Sequence, residues 1–140
     1  MSAFWRGWLY VWCGLVIIFG LVLAGGGLAA TSGVADMLFG VLGGPDDLTW
    51  TPHLRFSVAL MGAVTMGWGL TFVATFMAAH RLGEQAGLVW RMATLGVIVW
   101  FVIDSALSVA TGFALNAVSN AGLLAGYLIP VLATGVMRRA

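Results

Sequence analysis

Asp104 interrupts the apolar run from Met92 to Ala110, and no other residue in the chain brings as much chemistry into so apolar a setting. An ionisable group inside a membrane span is costly, so it needs either a hydrogen-bonding partner or a task such as ligand binding. Helical spacing puts Ser108 on the face of Asp104 and pairs Asn116 with Asn120 on the next stretch, with Ser105, Thr111 and Ser119 close by. A carboxylate, hydroxyls and amides at these spacings can cradle a polar ligand, or can glue two helices together and do nothing more. Arg55 starts a different apolar stretch at the same end, so an Arg55–Asp104 ion pair is expected to neutralise the charge and fix the elements together. His53 is a second candidate for that neighbourhood.

The remaining side chains offer less. His53 and His80 stand at opposite ends of one helical stretch, about 40 Å apart by helical rise, so one copy cannot use both on a haem. No cofactor of the chain's own is expected, although a single histidine could touch a pigment or haem held in a larger assembly. The sequence has no His, Cys and carboxylate cluster with metal spacing, no glycine-rich phosphate loop and no Ser-His-Asp arrangement on one face. No catalytic residue is therefore assigned, because a lone acid without a base has little catalytic power. Cys13 is the sole cysteine and cannot form an intrachain disulfide.

These groups must be positioned by apolar helices. Of 140 residues, 61% are hydrophobic and 8% charged, with no lysine, and the mean hydropathy is +1.04. A soluble domain of that size would need far more charge on its surface. A net charge of +1 also gives no basic patch for nucleic acid. The expected class is all-α: one integral membrane four-helix bundle over residues 1–140, with spans at about 8–28, 54–79, 89–110 and 113–137. Each approaches or exceeds the roughly 20 residues a bilayer core requires. Thr51 can cap the second span with Pro52 at its first position, and a tight turn near Gly112 joins the last two. Pro130 should kink the fourth span.

Arg6, Arg81, Arg91, Arg138 and Arg139 fall on one side of this layout, and Asp36, Asp46 and Asp47 on the other. Short arginine-bearing segments face the cytoplasm, so both termini are expected there, in a bacterial inner membrane. Trp5, Trp8, Tyr10 and Trp12 at one end and Trp50 at the other fit interfacial aromatic belts. Arg6 ahead of an apolar core, with small residues at Gly27, Ala29 and Ala30, also has a signal-peptide layout, but the first span is expected to remain as an anchor. Residues Gly33 to Gly44 are too few to span and are expected to form an interfacial or re-entrant segment in the first outer loop.

Gly20 with Ala24, Ala63 with Gly67, Thr65 with Gly69, and Gly122 with Gly126 offer small-residue faces for close helix packing. The run Leu54-Arg55-Phe56 followed by Gly62, Gly67 and Gly69, and then Asp104-Ser105, Gly112, Asn116, Asn120 and Pro130, resembles small four-helix bacterial inner-membrane proteins of uncharacterised activity. Small multidrug transporters share the size, but their carboxylate lies in the first span, where this chain has none. The function expected first is a non-catalytic accessory or assembly subunit of a larger respiratory or photosynthetic type of membrane complex. Its partners would be the lipid bilayer and other membrane subunits or further copies of itself. The alternative is a small transporter or ligand-binding protein using Asp104, Ser108, Asn116, Asn120 and Arg55.

Overall fold

The computed structural model describes residues 1–43 and 48–138, so the charges of Asp46, Asp47 and Arg139 lie outside the described residues. Helix α1 spans Ala3–Gly25, α2 Gly33–Val41, α3 Pro52–Leu82, α4 Gly87–Ala110 and α5 Ala114–Ala133, and the described residues contain no strand. Local chemistry sets these limits. The Ser2 hydroxyl accepts from the Trp5 amide and opens α1 earlier than its apolar stretch, which begins near Trp8. Thr51 caps α3 through the Leu54 amide at 3.1 Å, with Pro52 in the first turn. The apolar stretch after Phe113 continues to Met137, but α5 stops at Ala133 because Gly135 turns the backbone to φ +60°.

Three helical stretches are long and apolar enough to cross a membrane: Ala3–Gly25, Pro52–Ala110 and Ala114–Ala133. The second is broken at Gly83, whose φ of +60° begins a short 3₁₀ turn, Gly83–Ala86, between α3 and α4. At 1.5 Å per residue, α3 and α4 are about 46 and 36 Å long, and each exceeds a hydrocarbon core of about 30 Å. The molecule is two antiparallel pairs, α1 with α3 and α4 with α5, joined where α1 meets α5 and where α3 meets α4.

The α1–α3 pair is close because it lacks side chains at the crossing. A Cβ on Gly62 would lie 2.2 Å from the Ala24 amide nitrogen, and one on Gly20 would lie 2.7 Å from that of Met66. Of the expected small-residue faces, Gly20 and Ala24 form this crossing, whereas Gly67 and Gly122 have nothing within 4 Å. Sequence spacing could not separate the two cases.

The core fills the half of the bundle nearest Arg81 and Arg91. Phe76 stacks on Trp90 at 5.4 Å and faces Tyr127 at 6.2 Å, while Trp12 meets Phe72 edge-on at 5.4 Å. Leu9, Cys13, Val97 and Val131 are buried around them. Tyr127 resolves its own polarity in this core, because its hydroxyl lies 3.0 Å from the Thr94 hydroxyl. Two tryptophans then tie α1 to α5: Trp12 Nε1 donates to the Leu123 carbonyl at 2.9 Å and Trp8 Nε1 to the Gly126 carbonyl at 2.7 Å. Gly126 is four residues before Pro130, which has no amide to give it.

Outside this core the helices present large apolar side chains such as Leu15, Leu70, Val102 and Leu132. Between 17 and 33% of the most apolar window of each stretch is buried within the protein, so the greater part needs lipid or protein neighbours.

Candidate ligand-binding site

The aromatic packing stops towards the far ends of α1 and α3, and a partly open cavity of about 270 Å³ lies there. Asp104, Ser108 and Asn116 form its polar wall. Ser108 sits one turn beyond Asp104 on α4, so its hydroxyl donates to Asp104 Oδ1 at 3.3 Å. Asn116 reaches the same group from the first turn of α5: its Nδ2 lies 2.8 Å from Ser108 Oγ and 3.4 Å from Asp104 Oδ1. Ser108 is buried, while Asp104 and Asn116 are half-buried and face the opening.

The hairpin turn makes this register possible. Gly112 adopts φ +91°, the Phe113 amide bonds back to the Ser108 carbonyl at 2.8 Å, and the Gly112 amide to that of Val109 at 3.3 Å. This is a Schellman closure of α4, and it starts α5 close enough for Asn116 to face Asp104. The Thr111 hydroxyl is spent on the Leu107 carbonyl at 2.8 Å, although Thr111 lines the cavity.

Asn120, grouped with Asn116 by spacing, belongs to a different contact. It is 3% exposed and donates to Ser105 Oγ at 3.3 Å, outside the cavity lining. Ser119 bonds its own helix at the Leu115 carbonyl. The polar residues of the hairpin therefore separate into a cavity-facing set, Asp104, Ser108 and Asn116, and an interhelical clamp, Ser105 with Asn120.

Arg55 is not part of the site, and the expected Arg55–Asp104 pair does not form. Its Nη1 donates to the Gly26 carbonyl at 3.2 Å, and its guanidinium lies over the Trp50 ring, 4.8 Å from the centroid. The reason is competition: the carbonyls of Leu23, Ala24 and Gly25 are taken by following backbone amides, and the Gly26 carbonyl just past the C-terminus of α1, where a cation is favoured, is within reach of Arg55. Trp50 in turn donates through Nε1 to Asp36 of α2. These contacts clasp the ends of α1, α2 and α3. His53 is exposed and does not line the cavity either.

The apolar walls come from parts of the chain that no motif connected to Asp104. Phe19 and Leu23 of α1, Met61 of α3, and Phe39 of α2 with Leu42 just beyond it complete the cavity. Phe39 packs edge-on against Phe113 at 6.1 Å, so α2 lies across one side of it. Only the aromatic and aliphatic bias of residues 37–42 could have suggested this in the sequence. Among the described residues, no Arg or His lines the cavity.

Among the described residues, no group of three His, Cys, Asp or Glu side chains converges. No family model, curated protein or solved structure matches the chain.

Proposed function

We propose that this chain is a four-span integral protein of the bacterial inner membrane whose Asp104 cavity takes up a small cation with an apolar body, as a transporter or a ligand-binding protein. The observation that carries the reading is a carboxylate held by Ser108 and Asn116, facing a cavity lined by three phenylalanines and, among the described residues, by no cationic side chain. A carboxylate supplies the counter-charge, and the faces of Phe19, Phe39 and Phe113 suit a cation electrostatically while covering its apolar part. At about 270 Å³ the cavity is just below the roughly 300–1,000 Å³ of ordinary ligand pockets, which restricts the ligand to a small molecule.

The arginines support this membrane placement. Arg6, Arg81, Arg91 and Arg138 fall at one end of the antiparallel arrangement, and arginine-rich ends favour the cytoplasm, so the proposal takes both termini as cytoplasmic and α2 with the cavity as the outer side. The resemblance to small four-helix bacterial inner-membrane proteins belongs to the same proposal.

The test is an isosteric pair: phenyltrimethylammonium, and tert-butylbenzene, which has carbon in place of the charged nitrogen. In maltoside micelles the full chain should bind the cation at least tenfold more tightly than the hydrocarbon. Asp104→Asn should remove that difference while helical content is kept. Equal binding of both would leave a pocket without cation selectivity. Binding of neither would remove the reading.

A second reading, the accessory subunit, is supported by a separate apolar groove of about 470 Å³ between α3 and α4, bordered by Trp68, Thr71, Thr75, Met92 and Gly96. It expects a stoichiometric large complex on mild-detergent purification from native membranes, and a monomer would remove it.

A further inference from the structure

At the opposite end of the molecule, beyond the apolar part of α3, a second cavity of about 80 Å³ lies between the start of α1, the end of α3 and the start of α4. His80 lines it together with Arg6 and Trp90. The two nitrogens of His80 are in different situations. Nδ1 lies 3.3 Å from the Tyr10 hydroxyl, whereas Nε2 is buried and has no hydrogen-bond partner. A buried polar atom without a partner costs free energy, so a native structure that keeps one calls for an explanation. With the phenol as donor to Nδ1, the proton of the neutral ring is on Nε2, which is then an unused donor.

We propose that this cavity is an oxyanion site, in which His80 Nε2–H and the Arg6 guanidinium hold a single phosphate group. The donors match: one buried N–H of fixed direction and one guanidinium, whose fork fits phosphate oxygens, and among the described residues no carboxylate side chain lines the cavity to repel an anion. Size excludes larger ligands. A water takes about 30 Å³ of liquid volume, so the space accommodates one tetrahedral oxyanion and falls well short of an organic ligand's pocket. Position adds a source: the site is at the arginine end, past the apolar stretch of α3, where a phospholipid headgroup would come to rest. Free phosphate and the lipid phosphodiester share the chemistry, and the experiment separates them.

The full chain is purified in maltoside, which contains no phosphate, and titrated at constant ionic strength with inorganic phosphate or with a short-chain phosphatidylglycerol. Thermal unfolding and the ¹⁵N resonances of the His80 ring are followed. One of the two ligands should raise the unfolding midpoint and shift the Nε2 resonance. His80→Phe should weaken that response about tenfold, and Arg6→Gln should weaken it too. His80→Gln, which keeps an N–H donor, should recover most of it. A response to inorganic phosphate identifies a free-anion site, and a response to the lipid alone identifies a headgroup site. No response of the unmodified chain to either, or an undiminished response in His80→Phe, overturns the proposal. If His80→Phe fails to fold, the ring resonances of the unmodified chain and the Arg6→Gln titration decide the matter by themselves.

Discussion

The Trp8 indole nitrogen donates to the Gly126 carbonyl at 2.7 Å, on the one acceptor in α5 that Pro130 deprives of its helical amide. In water such a carbonyl would be solvated, but in an apolar setting it must find a donor within the protein. An aromatic residue at the start of α1 thereby compensates a proline near the end of α5. The two positions should be energetically coupled.

Trp8→Phe keeps the ring and removes the donor, and it should destabilise the bundle by about 0.6–1.7 kcal/mol, the range found for interhelical hydrogen bonds in membranes. Pro130→Ala restores an amide for the Gly126 carbonyl, so Trp8→Phe should cost much less in that background. Reversible unfolding in mixed micelles measures all four corners of the cycle. Additive effects would show that the carbonyl is satisfied in some other way.

The glycines of α3 should divide by position. Gly62→Ala places a methyl against the backbone of α1 at Ala24 and should cost about 1–3 kcal/mol through forced separation of the pair. Gly67→Ala meets open space and should be neutral or stabilising by up to about 1 kcal/mol, from better helix propensity. Thermal midpoints of the two variants in one detergent give the comparison, and equal losses would contradict the crossing described.

The polar groups of the hairpin should separate by function as well. Asn116→Ala should reduce phenyltrimethylammonium affinity several-fold, because Asp104 loses an orienting donor. Asn120→Ala, which breaks the clamp with Ser105, should lower stability by about 1 kcal/mol with little change in affinity. Arg55→Gln should behave like Asn120→Ala, since Arg55 holds the Gly26 carbonyl and Trp50. A large affinity change in Arg55→Gln would restore the pairing expected from sequence.

His80 gives the pH prediction. Burial, reinforced by the Arg6 guanidinium, holds it below the ordinary histidine value of 6.5. The fold therefore favours the neutral ring, and the unfolded chain binds more protons in the interval between the two values. This contribution to stability is complete above about pH 6.5 and is lost as pH falls towards the folded value. Without phosphate the unfolding midpoint should decline as pH falls below about 6.5, and His80→Gln should flatten that decline. A flat profile for the unmodified chain would refute it.

The sequence made the helical class readable because apolar runs, the Thr51-Pro52 start and the Gly112 turn are local signals. Asp104, Ser108 and Asn116 were also within reach, since i, i+4 spacing and a tight turn determine the register of a hairpin. The same spacing could not tell that Asn120 bonds Ser105 instead, because the two asparagines share a face of α5 and only about 6 Å of rise along the helix separates the two environments. Arg55 departs from the expectation for a similar reason: charge points to Asp104, whereas the nearer partners are the Gly26 carbonyl just past α1 and the Trp50 ring. The remaining cavity walls, Phe19, Met61 and Phe39, depend on how α1, α2 and α3 pack, and no short-range pattern encodes that.

The Schellman turn at Gly112 also bears on biogenesis. Asp104 finds both of its partners, Ser108 and Asn116, within twelve residues of chain on a single hairpin. A charge-bearing helix that had to wait for a distant segment would enter the bilayer with its carboxylate unsatisfied. On the proposed four-span reading, α4 and α5 would enter the bilayer as a matched pair, with the carboxylate already hydrogen-bonded within the hairpin.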